Sequence, residues 1–193
     1  DTDASQYRIV KLTAADTMNW NLVIQAKAFA KRKRLRPVRA GGRSFYILVL
    51  STEQCRDLEQ SPDYKSLTAQ ALPRGLDNPL FNNAKKIVGD VVIHDHQKVY
   101  NTLGLSSGSR WGSGSTVHGA QAMLMGAQAI GLAQLSGKSA GWSEGDKTDH
   151  GNKSAIGIGR MFGLLKPQFK SRYDNQARED FGIVSIKTAA ATS

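Results

Sequence analysis

One stretch of this sequence can form a long amphipathic helix, and everything after it is cut into short elements. Leu22, Ala26, Phe29 and Ala30 recur at helical spacing, with Trp20, Val23 and Lys27 on a neighbouring stripe. Thr13-Ala14-Ala15-Asp16 resembles a capping box ahead of the run, and Pro37 disfavours helical backbone at the residue before it. The pattern predicts a helix from about Ala15 to Arg34, roughly 30 Å long at 1.5 Å per residue. Its first two-thirds is apolar on one face and its last turn is strongly basic.

That basic end holds most of the chain's charge. The 193 residues carry a formal net charge of +10. Lys27, Lys31, Arg32, Lys33, Arg34, Arg36, Arg39 and Arg43 fall between positions 27 and 43 with no acid among them. Three readings fit such a run. Clustered cations bind phosphates by releasing counterions. Cations also favour the C-terminal end of a helix dipole, where they are simply solvated. A third use is docking on an acidic partner surface.

After the helix, Gly41-Gly42 marks a turn and Phe45–Leu50 (FYILVL) reads as a buried strand. Ser51 or Thr52 can cap a short helix through Leu58, and a second short helix fits Tyr64 to Leu72, ended by Pro73 and Gly75. Val91-Val92-Ile93 is a strand introduced by the turn signal Gly89-Asp90. Residues 104–116 are rich in glycine and serine and read as a flexible loop or linker. Residues 117–135 fit a helix through Ala120, Met123, Leu124, Ala127 and Ile130. They fit a strand, a turn at Gly126 and a second strand nearly as well. A polar loop covers 136–153. Segments 156–165 and 181–186 alternate and read as a pair of antiparallel strands. There are no internal repeats, and one helix followed by scattered strands and short helices gives an α+β fold class.

A hydrophobic content of 40% with 22% charged residues excludes a disordered chain. No apolar run approaches the ~18 residues of a membrane span, and the first ten residues lack the pattern of a secretory signal. The lone Cys55 excludes an internal disulfide and a multi-cysteine zinc site, so the chain reads as soluble, globular and made in a reducing compartment.

The search for chemistry returns little. His94-Asp95-His96 at a strand end offers two imidazoles on one face, but no spacing selects a third ligand among His118, His150 and Asp149. Surface histidines are the better reading, and no metal site is assigned. Cys55 falls inside a short helix, where a thiol packs as a small hydrophobe. Neither a nucleophile elbow, nor a phosphate-binding glycine loop, nor a carboxylate dyad is present. Trp111 and Trp142 fall in glycine- and serine-rich segments, where an aromatic either meets a partner surface or folds back on its own domain.

The ordered set of motifs carries a family resemblance. It opens with Arg36-Pro37-Val38-Arg39, Gly41-Gly42, Tyr46–Leu50 and Gln54 with Asp57-Leu58. It continues through Arg74-Gly75, Asn78-Pro79-Leu80-Phe81 and Gly89–His94. Gly126-Ala127-Gln128-Ala129, Asp149–Lys153, Phe181–Val184 and Thr188-Ala189 complete it. Over about residues 20–190 this order resembles the C-terminal portion of a tailed-bacteriophage major capsid protein of the podovirus-type branch.

The resemblance implies a capsid fold with a spine helix, antiparallel peripheral-domain strands and a mixed axial domain. On this chain that assigns residues 1–41 and 136–193 to the peripheral domain, with the spine at about 15–34 and long strands at about 154–165 and 181–188. Residues 42–135 become the axial domain. The family's N-terminal arm and extended loop would lie outside this sequence, since only about fourteen residues precede the helix. The implied function is a structural, non-enzymatic subunit of a virion shell, assembled in the host cytoplasm, with no cofactor. Implied partners are further copies in pentamers and hexamers, and packaged double-stranded DNA through non-specific contact. Scaffolding, portal or decoration proteins complete that set, and no membrane is involved. Candidate subunit or DNA contacts are Lys31, Arg32, Lys33, Arg34, Arg36, Arg39, Arg43, Trp111 and Trp142. The alternative is a nucleic-acid-binding protein that uses segment 27–43.

Overall fold

In a computed structural model of the chain, the residues described are 11–71, 86–134, 141–144, 156–159, 161–170 and 176–190. They form two compact units, one of residues 1–127 with 182–193 and one of residues 128–181.

The first unit is built on a six-stranded sheet. Helix α1 spans Trp20–Arg32, β1 Val38–Ala40 and β2 Arg43–Leu50; α2 (Thr52–Gln60) and α3 (Pro62–Ala71) follow. Strands β3 (Lys86–Val88), β4 (Val91–Asp95), β5 (Gly119–Met125) and β12 (Ile183–Ala189) complete it. The order is β12-β5-β2-β4-β3, with β1 paired to β2. Among the described strand pairs only β2 and β4 run parallel, and α2, α3 and β3 lie between them in sequence, as a parallel pair requires.

The FYILVL run becomes the middle of this sheet for a direct reason. Leu48 is fully buried and stands opposite Leu124 on one side and Ile93 on the other. Tyr46, Leu48 and Leu50 face the core while alternate residues are half-buried. Ala122, opposite Ile186, leaves room for the larger side chain. Met18, Trp20, Val23, Ala26 and Ala30 bring α1 onto the same core. Replacing Leu48 by alanine would remove about 3–5 kcal/mol of stability.

Helix α1 departs from the expected bounds at both ends. Thr13 and Asp16 make half of the expected box, in an isolated turn: the Asp16 N–H donates to the Thr13 carbonyl and not to its hydroxyl, while the Thr13 N–H and hydroxyl both donate to the Asp16 carboxylate, at 2.7 and 2.8 Å. These bonds hold the Asp16 carboxyl below its ordinary pKa. The helix starts later, capped by Asn19, whose side chain accepts from the Leu22 N–H at 2.8 Å. It stops before Pro37 can act. Arg34 is left-handed at φ 59°, the Leu35 N–H donates to the Ala30 carbonyl and the Arg34 N–H to the Lys31 carbonyl. This is a Schellman closure with arginine where glycine is usual, and buried Leu35 supplies its apolar contact.

The turn readings hold. Gly41 and Gly42 both have positive φ between β1 and β2, as a two-residue hairpin needs. Ser51 and Gln54 form a complete capping box on α2, and α3 runs close to the expected segment. Of the two readings of 117–135, strands prevail: β5 is followed by β6 (Gly131–Gln134).

Among the described residues, the second unit holds three two-stranded antiparallel sheets. β6 pairs with β9 (Phe162–Leu165), β7 (Gly141–Glu144) with β8 (Ile156–Gly159), and β10 (Gln168–Lys170) with β11 (Arg178–Asp180). The expected pairing of 156–165 with 181–186 does not form, because β12 is taken by β5 over seven residues. The compact units part after residues 127 and 181, whereas the sequence division fell at 41/42 and 135/136. Helix α1 and strand β12 share a unit with β2, β4 and β5.

Candidate functional site

The basic segment is distributed over three structural settings. Lys27 belongs to the fold: its ammonium donates to the Gly89 carbonyl and to Asp90 Oδ2 at 3.1 Å, tying α1 to the β3–β4 turn. Both turn residues are left-handed, Gly89 at φ 56° and Asp90 at φ 65°, which presents carbonyl and carboxylate to one lysine. The sequence signalled the turn but not this partner, 63 positions away.

Lys31, Arg32, Lys33 and Arg34 surround the helix end; all are exposed except half-buried Lys33. The Arg32 guanidinium and the Lys33 ammonium lie 5.5 and 5.8 Å from the Phe29 ring centroid. Each such contact is worth about 0.5–1 kcal/mol at an exposed site. Arg36 is exposed, but its carbonyl accepts from the Ala127 N–H at 2.7 Å, which joins the segment to the end of β5. Gly126 permits that approach: a Cβ there would meet the Arg36 oxygen at 2.3 Å.

Arg39 and Arg43 lie on the β1–β2 hairpin, opposite Ser44 and Ala40 respectively. Side chains alternate across a strand, so the two arginines point to opposite faces. The seven candidate cations thus form a basic rim around α1 and its hairpin.

The two tryptophans part company. Trp111 is only 6% exposed and stacks on Tyr100, with centroids 6.3 Å apart and planes at 27°. Its backbone bridges Val117 in both directions, which orders the glycine-rich segment that was expected to be flexible. Gly119 is the residue that admits it, since a Cβ there would lie 2.0 Å from the ring. Trp111 therefore folds back on its own unit and is withdrawn from the contact set. Trp142 lies on β7, opposite Ile158.

No acid–base or nucleophilic pair assembles among the described residues. His94 and His96 are exposed, and His96 Nδ1 accepts from the Lys98 N–H at 3.1 Å. His118 Nδ1 is 3.3 Å from the Thr102 carbonyl; His150 and Asp149 lie outside the described residues. No group of three potential ligands is placed to hold a metal ion among the described residues. Cys55 is buried, its Sγ 4.0 Å from Glu59 Oε1. A groove of about 460 Å³ beside α1 is lined by Trp20, Val23, Ile24, Leu67, Val88 and Val91 with Lys27 and Lys31. Its lining includes no carboxylate, imidazole or thiol.

Gln54 belongs to the ordered motifs, but its role emerges only in the fold. The side chain is fully buried; Nε2 donates to the Ala120 carbonyl at 3.0 Å and to Thr188 Oγ1 at 2.7 Å, and Oε1 accepts from the Ser51 N–H. One amide thus locks α2 to β5 and β12. What this geometry holds is a rigid sheet, a basic rim and no reaction centre among the described residues.

Residues 1–192 match the family described as phage capsid protein. The chain belongs to that family. This phage capsid protein is 37% identical over 180 residues to the major capsid protein of Pseudomonas phage KPP25, covering 93% of the chain and 47% of that protein. The chain therefore spans about half the length of the curated relative it matches. Among solved structures it resembles the capsid of Ralstonia phage GP4, at 27% identity and a TM-score of 0.66 over 95% of this chain and 50% of that one. The fold also matches the cyanophage Pam1 capsid asymmetric unit, at 20% identity and a TM-score of 0.69 over 96% and 50% of the two chains. The resemblance read from the ordered motifs and the α+β capsid fold are both borne out. These relatives lend no support to a nucleic-acid-binding regulator built on segment 27–43.

Proposed function

We propose that this chain is part of a major capsid protein whose copies tile a closed shell around double-stranded DNA. The observation that carries this is coverage: the similarity runs through both compact units, not through one transferable module. The site supports it as well, since a knit sheet with a charged rim suits a load-bearing tile. Pentameric and hexameric rings of one fold need heterologous contacts, with one surface of a copy meeting a different surface of the next. The shell is the wall of the virion and assembles in the host cytoplasm.

The basic rim is the part we assign to contact. Lys31, Arg32, Lys33, Arg34, Arg36, Arg39 and Arg43 serve a neighbouring subunit or the packaged DNA backbone, where counterion release supplies affinity without reading sequence. Trp142 is assigned to subunit contact.

Electron microscopy of the purified capsid protein under assembly conditions tests the proposal. Closed particles or rings are expected. A stable monomer at every protein concentration and ionic strength that supports assembly of related phage shells would overturn it.

A further inference from the structure

Helix α1 turns one stripe of side chains toward the groove of about 460 Å³. Trp20, Ile24, Lys27 and Lys31 follow one another at helical spacing, so they lie on one face of the helix. Along that stripe the chemistry changes from apolar to cationic over roughly 16 Å, at 1.5 Å per residue. Leu67 of α3, with Val88 and Val91 on either side of the β3–β4 turn, adds to the apolar lining. Ile24 lines the groove and is still 49% exposed, so the apolar part is open to an occupant from solution.

The two lysines are not equivalent. The Lys27 ammonium is already held by the Gly89 carbonyl and Asp90, and its side chain is only 20% exposed. Lys31, one turn further along the same stripe, is exposed and makes no ion pair with any described residue. The described lining side chains offer donors, the two ammonium groups and the Trp20 indole, but no hydrogen-bond acceptor and no acid. The polar end of an occupant must therefore accept, and a negative charge there gains most from Lys31.

Size selects the kind of occupant. The groove falls within the range of about 300–1,000 Å³ typical of small-molecule sites, whose walls are mostly apolar with a few placed polar groups. Ten described residues line it, whereas one side of a stable protein interface takes about 20–30.

We propose that this groove binds a free aliphatic carboxylate. The chain lies along Trp20 and Ile24 against Val88 and Val91, and the head accepts charge-assisted hydrogen bonds from the Lys31 ammonium. Each methylene that leaves water in the groove tightens binding about fourfold. The site is distinct from the shell contacts assigned above and does not depend on them.

The test titrates the unassembled protein with decanoate, below its micelle-forming concentration, and follows the methyl resonances of Ile24, Val88 and Val91 by NMR. Saturable shifts at all three are expected. Octanoate, two methylenes shorter, should bind about tenfold more weakly. Decyltrimethylammonium, with the same chain and the opposite head charge, should also bind about tenfold more weakly, having exchanged a charge-assisted bond for repulsion. Lys31→Glu should reverse that preference while amide exchange of β2 and β5 is unchanged. Shifts that never saturate, equal affinity for the two head groups, or an unaltered preference in Lys31→Glu would each overturn the proposal. So would decanoate shifts centred on Leu132 and Leu164, or binding to phosphatidylglycerol vesicles without binding to monomeric decanoate. None of these readings needs particles, so a failure here leaves the shell reading untouched.

Discussion

Gln54 gives the sharpest test of how the first unit is held together. Gln54→Leu keeps the side chain's bulk and removes two donated hydrogen bonds and one accepted one. Each bond contributes about 1 kcal/mol net, but the groups left behind are buried, and stranding a buried polar group costs about 1–3 kcal/mol. Thr188 is 1% exposed, so its hydroxyl has no ready access to water. The expected loss is about 3 kcal/mol, or a fall in midpoint temperature of about 6–12 °C for a chain of this size. Thr188→Val alone strands only one Gln54 N–H and should cost about 1–2 kcal/mol. The double substitution replaces both partners with apolar groups, so it should cost less than the sum by about 1–2 kcal/mol. Urea unfolding of the unassembled protein, followed by circular dichroism for all four variants, measures that coupling. Strict additivity of the two single costs would refute the picture of one amide bridging α2 to β12.

Two further outcomes follow from local geometry. Gly119→Ala drives a methyl into the Trp111 ring and should destabilise the protein by about 2–3 kcal/mol; an unchanged urea midpoint and an unmoved Trp111 indole N–H resonance would contradict this. At Asp180, burial raises the carboxyl pKa, but hydrogen bonds from Lys166 at 2.9 Å and Gln168 at 3.0 Å, with the Lys166 charge, outweigh it and leave a net lowering. A lowered folded pKa means the contribution is present above the ordinary aspartate range and lost only as pH falls through the folded value. The β10–β11 pair should therefore hold near pH 5 and loosen only below about pH 4. The effect is at most roughly 0.5 kcal/mol, because both groups are partly solvated. A carboxyl titration by NMR that places Asp180 at or above an ordinary aspartate would overturn the assignment.

What could be read from the sequence was what neighbouring residues decide among themselves. The glycine pair at 41–42, the Ser51–Gln54 box and the unbroken apolar run at 45–50 act within a few positions, and each appears as expected. The start of α1 misled because Thr13 and Asp16 satisfy each other equally well in a free turn, while Asn19 caps the helix without an acid to announce it. Strand pairing was hidden because β5 and β12 meet across some sixty intervening residues. Trp111 looked exposed because its local sequence offers no packing; its neighbour Tyr100 and the opening at Gly119 come from the fold. The basic run was legible as charge, but not its division among a structural lysine, a helix end and two faces of a hairpin. Family membership was readable because ordered motifs survive even where each one alone is weak.

The position of β12 also governs when a newly made chain is ready. β2, the middle strand, is synthesised about 130 residues before its flank is completed by β12 on β5. At roughly 5–20 residues per second, the ribosome needs on the order of ten seconds to deliver that closing strand. Until then Gln54 has no Thr188 to bind, and the edge of β5 that β12 pairs with stays open. The closing strand thus sets the earliest point at which the sheet can be complete: a chain made only as far as Asp180 lacks both the β5–β12 pairing and the Gln54–Thr188 bond.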